Sequence, residues 1–233
     1  MNLAIIIARK NSKRLKNKNL LKIGKYNLIQ MTVIEALKVR ELKKIIINTD
    51  IKNIENYFNF LTKKQLNKIV FMERKPHLSS DKTKAVSVVI DTIKKINDSK
   101  YSIVTLLLPT CPLRKARDIK LGIKHLSKEV STVISINKSD FPPQFYFYKN
   151  KKNILKPVYK NTPLLKSETR MQKISESFRP NGAFYISKIK NLFKNKNFFK
   201  GRIKGVEMPT KRSIDIDTIE DLKLARYIYK NKI

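Results

Sequence analysis

"AIIIARKNSKRLKNKNL", residues 4–20, runs a short β-branched segment straight into a loop with two arginines and four lysines. Its apolar half is nearly continuous rather than alternating, which is how a strand buried on both faces reads. Segments of the same kind recur at "KIIINT" (44–49), "NKIVFM" (67–72), "YSIVTLLL" (101–108) and "STVISI" (131–136). Helical patterns lie between them: "NLIQMTVIEALKVREL" (27–42), "KTKAVSVVIDTIKKI" (82–96) and "ARDIKLGIKHLSK" (116–128). In the first, Leu28, Met31, Ile34 and Leu37 recur at helix spacing. Strand and helix alternating at short intervals predict an α/β fold with an open, mainly parallel sheet.

The rhythm breaks at 138–180, which holds Pro142, Pro143, Pro157, Pro163 and Pro180 together with the aromatic run "FYFY" (145–148). This stretch reads as a small insertion of short strands and loop within one domain spanning 1–233. The pattern resumes with "GAFYISK" (182–188) and "GVEMP" (205–209), and closes on the helix "IEDLKLARYIYKNK" (219–232). Ligands of such sheets bind beyond the carboxyl ends of the strands, so chemistry is expected in 8–19, 48–50, 73–83, 109–114 and 137–144.

Composition bounds the partners. A chain of 233 residues buries roughly 70% of its unfolded surface and needs no covalent staples. A lone cysteine, Cys111, forbids an intramolecular disulfide and suits a reducing cytoplasm. No apolar run approaches the roughly 20 residues of a membrane span, so a soluble cytoplasmic protein is expected. The net charge of +34 raises the question of nucleic acid. A nucleic-acid module typically concentrates charge on one helix or face and adds arginines or stacking aromatics, whereas the lysines here are spread through nearly every block of ten. That distribution argues for lysine-rich composition over a dedicated nucleic-acid face.

The loop "ARKNSKRLKNKN" (8–19) contains no glycine and matches neither the Walker pattern nor G-x-G-x-x-G. Cationic side chains and backbone N–H groups can still hold a polyphosphate there, while a solvated basic loop is the plain alternative. At the other end, "SIDID" (213–217) would, if extended, place Ser213, Asp215 and Asp217 on one face and Ile214 and Ile216 on the other. Two carboxylates beside substrate phosphates make a Mg²⁺ site. Asp217 with Glu220 also fits a capping box for the last helix, and Thr218 with Asp221 fits a second frame that would free Asp217. The residues alone leave these readings open.

Five segments in order carry a resemblance. "IARKNSKRLKNKNL" (7–20), "ERKPHLSSD" (73–81), "LLLPTCPLR" (106–114), "FRPNGAFYI" (178–186) and "SIDIDTIEDL" (213–222) are similar to the signatures of the cytidylyltransferases that activate sialic acids and related nine-carbon sugar acids. The resemblance implies a Rossmann-like fold of the nucleotide-sugar transferase type and transfer of CMP from CTP to a sugar acid, with pyrophosphate released. It implies that Arg9, Asn11, Ser12, Lys13 and Lys18 hold the triphosphate. Asn19, Arg74 and Asp81 then place the nucleotide, and Asp215 and Asp217 carry Mg²⁺. Arg9, Lys18 and Asp215 are the expected catalytic residues. His77 and His125 are not convincing bases.

The acceptor side is implied for Leu108, Thr110, Gln144, Arg170, Gln172, Asn181, Tyr185, Phe198 and Phe199, and departures from the family pattern cluster there. Leu108 stands where the family has glutamine, Gln144 where it has lysine, and Arg170 falls out of register with the expected arginine. The Phe198–Phe199 pair is equally an ordinary core contact. Family members are homodimers that exchange the segment near 140–180, and "FYFY" suits an interface. The alternatives are the same chemistry on legionaminic, pseudaminic or another 3-deoxy-ulosonic acid, or a non-catalytic nucleotide- or RNA-binding derivative.

Overall fold

The computed structural model describes residues 1–12, 14–170 and 174–232. Two compact units divide the chain: Met1–Ile136 with Pro180–Ile233, and Asn137–Arg179. In the first unit β1 is Asn2–Ala8, β4 Leu42–Thr49, β5 Ile69–Glu73 and β6 Ile103–Leu107. Strands β2 (Lys22–Ile23) and β3 (Tyr26–Asn27) make a small hairpin. With β7 (Thr132–Lys138), β10 (Phe178–Lys188) and β11 (Ile203–Glu207), the main sheet has the order β11-β7-β10-β6-β1-β4-β5.

Strand β1 sits mid-sheet and pairs in parallel on both sides, with Ile5 opposite Ile46 and Leu106. Its alternate side chains feed two cores. Ala4, Ile6 and Ala8 join Ile29, Val33 and Ala36 of helix α1 (Leu28–Leu37) and Ile119 of α4 (Ala116–Lys124). Leu3 and Ile5 join Val89 of α3 (Ala85–Ile96) and Leu192 of α5 (Ile189–Asn195). Burial on both faces is why the segment is continuously apolar; each such side chain contributes roughly 1.5–3 kcal/mol. A third cluster packs Leu222 and Ala225 of α6 (Ile219–Lys230) on Leu28 and Ile216.

The mainly parallel α/β sheet expected from the sequence is present, with one departure. Strand β10 runs antiparallel to β6, Tyr185 facing Leu106. The first helix also ends at Leu37, short of 42, because Leu42 already opens β4. A capping box starts α1: Gln30 N donates to Asn27 Oδ1 and Asn27 N to Gln30 Oε1, both at 2.8 Å.

In the second unit β8 (Phe147–Lys149) and β9 (Leu155–Pro157) form an antiparallel hairpin. Its turn is closed by Asn150 Oδ1, which accepts from Lys152 N at 2.9 Å and Ile154 N at 3.0 Å. Thr162 Oγ1 donates to Gln144 O at 2.6 Å. The unit leaves Phe141, Tyr146, Tyr148, Leu155 and Leu165 exposed. Among the described residues no helix is long and apolar enough to cross a membrane.

Gly122 brings α4 against β10 with no room to spare: a Cβ there would lie 2.7 Å from Ile186 Cδ1 and 2.8 Å from Phe184 Cε2. Alanine normally favours a helix over glycine by roughly 1 kcal/mol. Overpacking against the buried Phe184 ring and the Ile186 side chain reverses that sign, so Gly122→Ala should lower stability by about 1–3 kcal/mol in urea unfolding. A variant as stable as the parent would mean that the helix yields freely.

Candidate active site

The loop after β1 holds its shape with side chains. Buried Asn19 donates from Nδ2 to Arg9 O at 2.9 Å, Lys10 N donates to Asp50 Oδ1 at 2.5 Å, and Asn17 adopts a left-handed φ of 52°. Asparagine tolerates that region, which lets the chain turn here without glycine. The Arg9 guanidinium is ion-paired to Asp81, both half-buried. Buried Arg74 donates from Nε and Nη2 to the side-chain and main-chain oxygens of Asn48, each at 2.9 Å. Burial brings its pKa down to about 10; Asp50 opposes the shift and the Arg9 charge adds to it. It is still a cation at neutral pH.

A cleft of about 230 Å³ gathers Arg9, Ser12, Lys18, Asn19, Arg74, Asp81, Leu108 and Thr110. Eight residues expected to serve nucleotide or acceptor therefore meet beyond the carboxyl ends of β1 and β6. Asn11 is exposed in the same loop, and Lys13 lies outside the described residues. A second cleft, of about 330 Å³, lies past β4 and β5 and carries Asp50, Glu55 and Glu73 against Lys52. Its acidic lining suits no phosphate.

The carboxylates enter from the far end of the chain. Ile216 is buried, and its N–H donates to Thr110 O at 2.7 Å. Asp215 is accessible but crowded: the position of a Cβ on Gly182 lies 3.7 Å from its Oδ2 and 3.7 Å from Leu108 Cδ1. That crowding strips water and raises its pKa; the Thr110 hydroxyl, donating to it, opposes the rise, while Asp217 adds to it. Asp217 takes Lys18 Nζ at 2.7 Å and Arg14 Nη2 at 2.9 Å. The capping question is settled by Thr218, whose hydroxyl and N–H pair with Asp221 at the start of α6. Asp217 is not the cap. Two neighbouring carboxylates and a hydroxyl form an oxygen-only donor set that fits Mg²⁺. Among the described residues no cluster of three acidic, histidine or cysteine side chains could hold a metal alone, so phosphate and water would complete the shell.

Tyr185, Phe198 and Phe199, expected on the acceptor side, form one aromatic cluster. Half-buried Tyr185 packs on Phe198 (centroids 5.6 Å apart) and, edge-on, on Phe199 (5.8 Å). Burial, then the Asp215 charge, raises the Tyr185 pKa. Phe198 is buried with Leu192, whereas Phe199 is exposed. Asn181 spends its amide internally, donating to Ser213 Oγ at 2.9 Å and accepting from Ala183 N at 3.1 Å. Gln144 and Arg170 belong to the second unit, and Gln172 lies outside the described residues. His125 closes α4, and His77 is exposed.

Reading the sequence missed Arg114. Fully buried, it donates from Nε to Ala183 O and from Nη1 to Cys111 O, both at 3.0 Å, and from Nη2 to Thr32 Oγ1 at 3.0 Å and to Leu108 O. Asp118 was missed as well. It joins Arg212 in a fork and accepts from Lys115 N at 2.8 Å, which fixes the turn before Ser213. The available signal was an arginine closing the apolar run "LLLPTCPL" (106–113).

The sequence matches the cytidylyltransferase family over residues 3–233. The chain belongs to that family. A CMP-N,N'-diacetyllegionaminic acid synthase of Legionella pneumophila is 29% identical over 227 residues, covering 95% of this chain and 93% of that protein. An N-acylneuraminate cytidylyltransferase of Streptococcus agalactiae is 28% identical over 94% of this chain, which spans only 51% of that protein. The structure of a CMP:2-keto-3-deoxy-manno-octonic acid synthetase complexed with CTP superposes with a TM-score of 0.68 at 16% identity, covering 100% of this chain and 99% of that one. At that identity the likeness shows the fold shared by this cytidylyltransferase.

Burial drives the Cys111 thiol up to about 12, above an ordinary 9.0, despite the Arg114 charge beside it. At pH 8 the native thiol should resist an aromatic disulfide reagent until the protein unfolds. Arg114→Leu leaves several carbonyls unpaired and should cost about 3–5 kcal/mol, with Cys111 reacting before global unfolding. An Arg114→Leu protein of parental stability with an inert thiol would contradict the pinning role.

Proposed function

We propose that this cytidylyltransferase transfers CMP from CTP to the anomeric hydroxyl of a sialic-acid-like nonulosonic acid. The observation that carries the reading is the convergence of Arg9, Lys18 and Arg74 on one cleft beside the Asp215–Asp217 pair. The attacking hydroxyl loses its proton to solvent and forms a new bond to the α-phosphorus as the bond to the β-phosphate breaks and pyrophosphate leaves. Such transfers depend on positioning and charge neutralisation more than on covalent help from the protein. Arg9 and Lys18 would take the leaving charge, exchanging their present carboxylate partners for phosphate oxygens. The Arg9–Asp81 pair is only partly shielded from water, which keeps the cost of that exchange small, whereas the more enclosed Lys18 gives up its partner less readily. Asn19 and Arg74 would orient the nucleotide; among the described residues Arg74 Nη1 donates to no protein acceptor. Mg²⁺ on Asp215 and Asp217 would supply Lewis-acid charge at the phosphates.

On the acceptor side, Tyr185 and Phe199 offer an aromatic wall and Leu108 an apolar one. The relatives act on different sugar acids, so legionaminic, pseudaminic and other 3-deoxy-ulosonic acids stand beside N-acetylneuraminic acid as acceptors of the same chemistry. We place the reaction in the cytoplasm, where CTP is made. A homodimer is proposed from the second unit, which exposes 58% of Phe141, 65% of Tyr148 and 69% of Leu165. Exposed aromatics in such density mark an interface.

The test is pyrophosphate release from CTP and Mg²⁺ across a panel of those acids, with UTP as control. One acid should turn over, and Asp215→Ala should lower the rate roughly a hundredfold or more. Absence of CTP binding would sink the reading. Light scattering should give twice the chain mass of 27.3 kDa, and replacing Phe141 and Tyr148 together by serine should halve it. A parent that is monomeric at micromolar concentration would remove the dimer.

A further inference from the structure

Arg14 is a residue of the opening loop for which the proposed reaction has no task. Its Nη2 lies 2.9 Å from Asp217 Oδ2, while Lys18 Nζ lies 2.7 Å from Oδ1 of the same carboxylate. Both oxygens of one member of the carboxylate pair are thus occupied by cations from one loop. The two cations are held differently. Lys18 has a side chain only 14% exposed and begins the short turn that contains buried Asn19, itself tied to Arg9 O. The Arg14 side chain is 71% exposed on irregular backbone. A divalent cation approaching Asp217 therefore meets one firmly held competitor and one that water can replace.

We propose that Arg14 is a displaceable counter-ion, occupying Oδ2 of Asp217 until a divalent cation takes that oxygen. Its presence raises the cation concentration the site requires. It also places a second positive charge beside the carboxylate pair. The inference rests on the reading of Asp215 and Asp217 as the metal pair. The size of the effect follows from the pairing: a largely exposed guanidinium–carboxylate contact shifts an equilibrium by up to about fivefold.

Binding of Mn²⁺ to the whole chain without nucleotide, followed by the electron paramagnetic resonance of the free ion, reads the effect without turnover. Arg14→Gln should tighten Mn²⁺ roughly two- to fivefold. Lys16→Gln removes the same charge from the same loop without an ion pair and should change affinity less. In an Asp217→Asn background, Arg14→Gln should make no difference. The proposal is overturned if Arg14→Gln leaves affinity unchanged, or if Lys16→Gln matches it, which would mean that only the general field of the loop matters. In either case weaker binding in Asp217→Asn would keep the metal pair intact. No Mn²⁺ binding by any form would remove both the pair and the role of Arg14.

Discussion

Everything at the cleft hangs on a guanidinium with no access to water. Arg114 is enclosed, and its partners are the main-chain oxygens of Leu108, Cys111 and Ala183 and the Thr32 hydroxyl. Burial lowers its pKa to about 10, so it keeps its proton at neutral pH. A charge in that position is tolerable only when every donor is satisfied, and the rigid fork of arginine reaches several carbonyls at once where a lysine would not. The loop between β6 and α4 is thereby wound around a fixed centre. Thr110 then presents its carbonyl to Ile216 and its hydroxyl to Asp215. The Asp118–Arg212 fork holds the preceding turn, and buried Ser213 takes the Asn181 amide. Gly182, at a φ of +77°, passes close beside Asp215, a backbone state open to glycine at little cost.

The opening loop is built differently from glycine-rich phosphate cradles. Those rely on a string of backbone N–H groups made accessible by left-handed residues. Here Lys10 N is engaged by Asp50 and the Asn19 amide is turned inward to Arg9 O. The loop's cationic side chains are paired instead with carboxylates, Arg9 with Asp81 and both Lys18 and Arg14 with the single carboxylate of Asp217. Such pairing offsets part of the loop's positive charge, so the net charge of +34 is a poor guide to this cleft.

The fold was legible because burial on both faces leaves a mark that survives in one dimension. Continuous apolar runs located β1, β4, β6 and β7 to within a few residues, and the ends of β1 and β6 pointed to the cleft. Strand direction leaves no such mark, so the reversal of β10 was invisible in "GAFYISK". The two capping frames at Asp217 and Thr218 differ by one residue, and only backbone geometry separates them. The long-range polar contacts were hidden for another reason. Asp118 and Arg212 are 94 residues apart, and Lys18 and Asp217 are 199 apart. Local pattern carries no information about such pairs.

These separations have a mechanical consequence. The residues lining the cleft come from the first strand and its loop, from Arg74 after β5, and from Leu108 and Thr110 after β6, whereas the carboxylates arrive just before the last helix. No local folding event assembles them. The carboxylates reach the cleft only when the 108–114 loop is wound on Arg114, since Ile216 N has its partner in Thr110 O. Site and core are therefore linked, and a local opening that released the Arg114 carbonyls would loosen the Thr110–Ile216 bond that holds the carboxylate segment at the cleft.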